Sequence, residues 1–189
     1  MATKLVIPRK DPGLDEVATA YAYSKFLKQN DEETTAAVFG DIDKKAERLL
    51  ESLDESISDA SYHLYSMEQA VLVKAEEVED VSTRIREKDV SEVITNDGDF
   101  DEDRFPNADL RLEEAATTSA IIAERFRESD NSISEEKATV LYGAIMIETD
   151  GLEDAKELDR EAAEWLEERS SKSFEEIKDV VNGSMEAAA

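Results

Sequence analysis

Short apolar runs alternate with longer amphipathic stretches over the first two thirds of the chain. Five of these runs read as strands: 4–7, 36–39, 70–73, 92–94 and 109–112 are brief and rich in Val, Ile and Leu. A run of this kind predicts a strand covered on both sides. Between them, 15–27 carries Val17, Tyr21 and Phe26 around an alanine-rich helical stretch, and 78–86 is a second candidate crossover. Strand, crossover helix and strand in succession predict an α/β fold with a parallel five-stranded sheet flanked by helices.

The last third changes rhythm. Segments 117–127, 135–147, 159–169 and 174–181 all show helical spacing, so the C-terminal half is expected to be helix-rich. Ser134 is placed to cap the helix that holds Ala138, Leu141, Tyr142 and Ile145. Ser173 with Glu176 forms a capping box ahead of Phe174, Ile177 and Val181. Trp165, at helical spacing with Leu158 and Ala162, reads as core. Residues 1–182 are expected to form a single domain and 183–189 a flexible tail.

Composition changes this picture mainly through charge. The chain has 189 residues with 48 Asp plus Glu against 22 Lys plus Arg, a net charge of −26 spread along its length. Such a field repels nucleic-acid phosphates and anionic lipid, so neither nucleic acid nor membrane is an expected partner. A surface this acidic also suits a salt-rich, halophilic cytoplasm. Cysteine is absent, which excludes disulfides, thiolate metal sites and cysteine nucleophiles. No apolar run approaches the ~18 residues of a spanning helix, and a cytoplasmic location is the expectation.

The chemistry is expected in loops that follow strands, because a parallel sheet gathers its functional groups at the carboxyl ends of its strands. Those loops hold Arg9-Lys10-Asp11-Pro12-Gly13-Leu14-Asp15, then Lys74, then Thr95-Asn96-Asp97-Gly98-Asp99; Glu148-Thr149-Asp150 follows a buried helix. The alternate carboxylates of Asp97, Asp99 and Asp101 hint at a calcium loop, but Ala108 stands where an EF-hand needs its bidentate Glu. The single histidine, His63, lies far from these loops and reads as an ordinary, partly exposed residue. No Gly-rich phosphate loop, serine nucleophile elbow or histidine triad can be assembled.

In order and spacing these segments resemble the N-terminal domain of the DHH phosphoesterase superfamily, which includes manganese-dependent inorganic pyrophosphatases. Residues 9–15 occupy the place of the family's His-x-Asn/Asp-Pro-Asp-x-Asp loop. Val71-Leu72-Val73-Lys74 resembles its third strand, Thr95-Asn96-Asp97 falls on the namesake triplet, Ala116-Thr117-Thr118-Ser119-Ala120 resembles a later helix start, and Ala144 to Thr149 and Asp159 match acidic positions beyond it. The resemblance implies metal-dependent hydrolysis of a phosphoester or of pyrophosphate, with Mn2+ or Mg2+ as cofactor if active.

This sequence departs from the pattern at most ligand positions. Arg9 stands in place of a His, Gly13 and Lys74 in place of Asp residues, and Thr95, Asn96 and Asp97 in place of Asp-His-His. Asp15 is retained, and Glu148 replaces an Asp. The residual metal ligands would be Asp15, Asp97 and Glu148. Arg9, Lys10 and Lys74 form a candidate anion site for a phosphate-containing small molecule. Two functions are therefore expected: a catalytically impaired phosphoesterase-like domain, with Mn2+ or Mg2+ if active and otherwise no cofactor, or a noncatalytic phosphate-, nucleotide- or protein-binding module. If the site holds no metal, Arg9 and Lys74 are expected to pair with Asp15, Asp97 and Glu148, because gathered carboxylates need counter-charge.

Overall fold

The structure, a computed structural model, describes residues 3–30 and 32–183. Its centre is a parallel sheet built from β1 (Lys4–Pro8), β2 (Thr34–Val38), β3 (Ser58–Asp59), β4 (Gln69–Val73), β5 (Val90–Thr95) and β6 (Asp109–Leu112). The strands lie in the order β3-β2-β1-β4-β5-β6. Six strands therefore replace the expected five. The additional one, β3, is two residues long and sits at the sheet margin, too short to leave a periodic signal.

Alternation along each strand divides the core. Val6, Val71, Val73 and Ile94 point to one face, where they meet the helices, while Leu5, Ile7, Leu72 and Val93 point to the other. The helical face carries α1 (Leu14–Gln29), α2 (Lys44–Glu51), α3 (Thr118–Glu128), α4 (Glu135–Glu148), α5 (Glu157–Glu167) and α6 (Phe174–Val181). α1 and α4 lie at its heart, and both are buried over most of their surface, as helices packed on nearly every side are. The caps expected at Ser134 and Ser173 are both present: each hydroxyl accepts from a backbone amide of the first turn.

The second face differs from expectation. The segment 78–86 forms a 3-10 turn at Val78–Asp80 followed by irregular chain, not a crossover helix. Its apolar residues Val78, Val81 and Ile85 are nevertheless buried against Leu5, Leu72 and Val93. Their spacing satisfies a 3-10 turn as well as an α-helix, so the pattern fixed which residues go inside and left the backbone form open. α2, between β2 and β3, was not expected. It is short and amphipathic, with Asp43 accepting from Lys45 N at its start. Trp165 packs at the margin of the core, half-buried, with the Arg169 guanidinium 4.3 Å from its ring. The tail expected at 183–189 lies, apart from Gly183, outside the described residues. No described helix is long and apolar enough to cross a membrane.

Strand order determines where a ligand would sit. The chain runs outward from β1 through β2 to β3, then returns to place β4 on the other side of β1. Loops leaving β1 and β4 diverge over opposite halves of the sheet and leave a crevice between them, the topological switch point.

Candidate functional site

The loop after β1 is held on both sides. Arg9 N donates to Val73 O at 3.1 Å, Lys10 N to Asp80 O at 2.8 Å and Asp11 N to Phe39 O at 3.1 Å, while Asp43 N donates to Pro12 O at 3.1 Å. Asp11 adopts a left-handed conformation (φ 54°), and its Oδ1 accepts from Asp41 N at 2.9 Å. Gly40 lies so close that a Cβ there would stand 2.1 Å from Asp11 Oδ1. Only glycine lets the loops after β1 and β2 approach this closely.

α1 begins directly beyond this loop, with two acids among apolar neighbours. Asp15 and Glu16 are 2% and 5% exposed. Buried carboxylates need partners, and each has them. Asp15 lies at the amino end of α3, where Oδ2 accepts from Thr118 N (2.9 Å) and Thr118 Oγ1 (3.1 Å), and Oδ1 from Ser119 N (2.9 Å) and Ser119 Oγ (2.6 Å). Lys74 Nζ adds an ion pair to Oδ2 at 2.7 Å. Lys74 is the first residue after β4, and its left-handed backbone (φ 56°) turns the chain there. Glu16 Oε1 receives Arg9 Nη2 at 3.1 Å and stands 4.0 Å from Lys74 Nζ. One network thus runs from Arg9 through Glu16 and Lys74 to Asp15 and the first turn of α3.

The titration of these groups follows from their surroundings. Burial acts to raise the Asp15 pKa, but the Lys74 ammonium, the Ser119 hydroxyl and the Thr118 amide outweigh it and hold the carboxyl below the ordinary range. Burial opposes the charge on Lys74 too, and the carboxylates of Asp15, Glu16 and Glu148 overcome it and push its pKa up. Glu148, the last residue of α4, is on the surface of this cluster. Partial loss of solvent and the fields of Asp15 and Glu16 raise its carboxyl.

Asp97 does not join the network. Its Oδ1 accepts from Asp99 N at 2.9 Å, and its amide donates to Thr95 Oγ1 at 3.1 Å, a local turn at the end of β5. Asn96 instead ties β5 to the chain ahead of α3, with Nδ2 donating to Ala115 O at 2.9 Å. A second buried acid works beside Asp15. Asp159 accepts from Ala116 N (2.7 Å), Thr117 N (3.0 Å), Thr117 Oγ1 (2.7 Å) and Lys156 N (3.0 Å). Asp15 and Asp159 together take up the successive amides of residues 116–119.

Of the sequence-predicted residues, the structure brings together Arg9, Lys74 and Asp15, with Glu148 within electrostatic reach and Asp97 apart. Arg9, Lys10 and Lys74 line one depression of about 490 Å3 at the switch point, shared with Asp11, Glu76 and Asp80. Glu16, Thr118 and Ser119 were not singled out as partners. Their signal was present in two consecutive acids opening an apolar helix, and in hydroxyl residues at a helix start.

A divalent centre does not fit this donor set. Two carboxylate oxygens offer about four lone-pair directions, and those of Asp15 are taken by Thr118, Ser119 and Lys74. The ammonium of Lys74 occupies the approach that a cation would use. Among the described residues, no three His, Cys, Asp or Glu side chains are gathered so as to hold a metal ion.

The sequence matches no protein-family model and no curated protein. The fold does match solved structures, among them an exopolyphosphatase-related protein from Bacteroides fragilis. That protein superposes with a TM-score of 0.76 at 13% identity over 96% of this chain. This chain spans 56% of the length of that protein. At such identity the likeness is one of fold.

Proposed function

We propose that this chain is a phosphoesterase-like domain that binds a small phosphate-bearing anion without hydrolysing it, a fixed lysine having taken the position of a metal ion. The reading rests on Lys74 Nζ lying 2.7 Å from Asp15 Oδ2, beneath a switch-point depression lined by Arg9, Lys10 and Lys74. An ammonium supplies positive charge for phosphate oxygens, but it neither polarises a bound water nor clamps two oxygens as paired metal ions do. The exopolyphosphatase-related neighbour makes pyrophosphate and short polyphosphate the first ligands to try.

Within this reading each cation has a role. Lys74, oriented by Asp15, presents its charge at the floor of the depression. Arg9, bonded to Glu16 through one nitrogen, keeps other guanidinium donors for a phosphate, and Lys10 contributes an exposed charge at the rim. The acidic field of the whole chain opposes anions, so binding should strengthen as potassium chloride screens that field and then weaken as salt competes locally.

The test is calorimetric titration of pyrophosphate and of a short polyphosphate in potassium chloride, paired with a phosphate-release assay with and without Mn2+. Saturable binding without release is expected, and Lys10→Ser should weaken it. Loss of one charge-assisted contact is worth about 1.5–3 kcal/mol, or roughly ten- to hundredfold in Kd. Mn2+-dependent release would show a working hydrolase and defeat the proposal. Absence of binding at any salt concentration would reduce the network to a purely structural device.

A further inference from the structure

β6 ends the sheet. It pairs with β5 in unbroken register along Asp109–Leu112, and no other described segment pairs with its outer side. An edge of this kind presents backbone amides and carbonyls to any extended chain that comes alongside. Folded proteins commonly blunt such edges with a proline, a lysine or a bulge, and β6 has none of these. Its one cation, Arg111, is engaged by Glu92 Oε2 and by Tyr23 OH, so it does not guard the edge.

A cavity of about 330 Å3 lies beside this edge, between β6 and α3. Part of its lining is apolar: Leu112 from β6, Ile121 from α3 and Leu158 from the first turn of α5. The rest is mainly acidic. Glu113 directly follows β6, and Glu124 and Glu128 stand one turn apart on α3. Of the two arginines that share the lining, Arg111 is matched by Glu92, and the Arg125 guanidinium lies over the Phe26 ring, 5.2 Å from its centre. Arg127 Nη2 pairs with Glu124 Oε1 at 2.8 Å. Even so, partial burial and the neighbouring Glu128 carboxylate push the Glu124 carboxyl up against the opposing pull of Arg127. Two like charges held together on a partly apolar wall favour a cation that bridges them.

A lysine or arginine side chain suits both parts of this lining, its stem lying along apolar surface while its head meets carboxylates. Strand addition would deliver it, because a segment paired with β6 turns alternate side chains to the helical face of the sheet. The field of the whole chain selects the same partner: a net charge of −26 draws in a basic segment and opposes a second copy of this chain. We infer that the outer edge of β6 takes up an extended basic peptide segment as an added strand, with one of its cationic side chains on Glu124 and Glu128 in the cavity beside α3. β4 and β5 separate this margin from the switch-point crevice, and the inference does not depend on the function proposed there.

The probe is a capped hexapeptide of alternating valine and arginine, titrated into the whole chain in potassium chloride to screen diffuse attraction and followed by backbone amide NMR. One control replaces arginine with glutamate. The other keeps valine and arginine but carries an N-methyl group on every backbone amide, which preserves the charge and prevents strand pairing. Saturable shifts at Asp109–Leu112 and around Glu124 and Glu128 are expected with the arginine peptide and with neither control. Glu128→Arg changes an exposed helical residue and should weaken binding about fivefold or more with the fold intact. The inference is overturned if β6 shows no saturable shifts, or if Glu128→Arg binds as tightly as the parent. Equal binding of the N-methylated peptide would show diffuse charge attraction only and overturn it too, as would a dimeric parent whose amide protection extends over the outer edge of β6.

Discussion

The ammonium of Lys74 lies 2.7 Å from the Asp15 carboxylate, which in turn accepts the Thr118 and Ser119 amides at the start of α3. One charged residue from the end of β4 is thereby joined through a second, at the start of α1, to a third element far along the chain. Lys74 lines the candidate site, and the pair is a clasp between sheet and helices.

Asp15→Ala should therefore cost about 3–5 kcal/mol, the usual effect of leaving one member of a buried ion pair alone. Lys74→Met in the same chain should recover part of that loss, since an apolar residue removes the stranded charge. Urea denaturation of both single variants and the double variant measures the coupling; additive losses would mean that the two residues act separately.

The pH dependence of stability follows from the same pair. The Asp15 carboxyl is depressed below its ordinary value of 3.8, so its contribution is complete above that pH and disappears as the pH falls through the lower, folded value. Lys74 is raised above 10.5, so its contribution is complete below that pH and fades as the pH rises through the folded value. Lys74→Met removes the main counter-charge of Asp15. Its acid unfolding, followed by thermal melts across pH, should move to higher pH than that of the parent.

Glu148 behaves in the opposite sense. Its carboxyl is raised above 4.5, so the folded chain favours the protonated form, and ionisation costs stability as the pH rises through the folded value. Because the residue is exposed, Glu148→Gln should stabilise the neutral-pH protein by no more than about 0.5 kcal/mol, with the gain vanishing in acid. Melting temperatures at neutral and acid pH compare the two forms directly.

Asp159→Ala strips the bonds that hold Ala116, Thr117 and Lys156. Leaving those amides buried without an acceptor should cost about 2–4 kcal/mol. Hydrogen exchange should show the added opening first at the amides of Ala116, Thr117 and Lys156, and uniform loss of protection would argue for a global effect instead.

Gly143 lies in α4 where a Cβ would stand 2.8 Å from Leu49 Cδ2 and 3.3 Å from Ile177 Cγ2. Alanine gains up to about 1 kcal/mol in helix propensity, but overpacking typically costs about 1–3 kcal/mol. Gly143→Ala should thus be destabilising overall, as read by denaturant midpoint.

Much of the architecture was legible in the sequence because it depends on local pattern. The apolar runs around Val6, Val71 and Ile94 announced buried strands, and Ser134 and Ser173 announced helix starts through groups only three residues away. Val78, Val81 and Ile85 marked a buried segment, but their spacing did not distinguish a helix from a 3-10 turn. β3 was too short to register.

The site was legible in part. Composition and loop position singled out Arg9, Lys10, Lys74 and Asp15, since charged residues at strand ends stand out against apolar runs. Only the tertiary structure decided who meets whom. Asp15 pairs with Lys74 and with amides a hundred residues away, Glu16 takes Arg9, and Asp97 turns back on its own loop. The physical reason is that hydrophobic periodicity is a property of neighbouring positions, whereas partners for a buried charge are chosen by strand order and helix packing, which bring distant segments within 3 Å of one another.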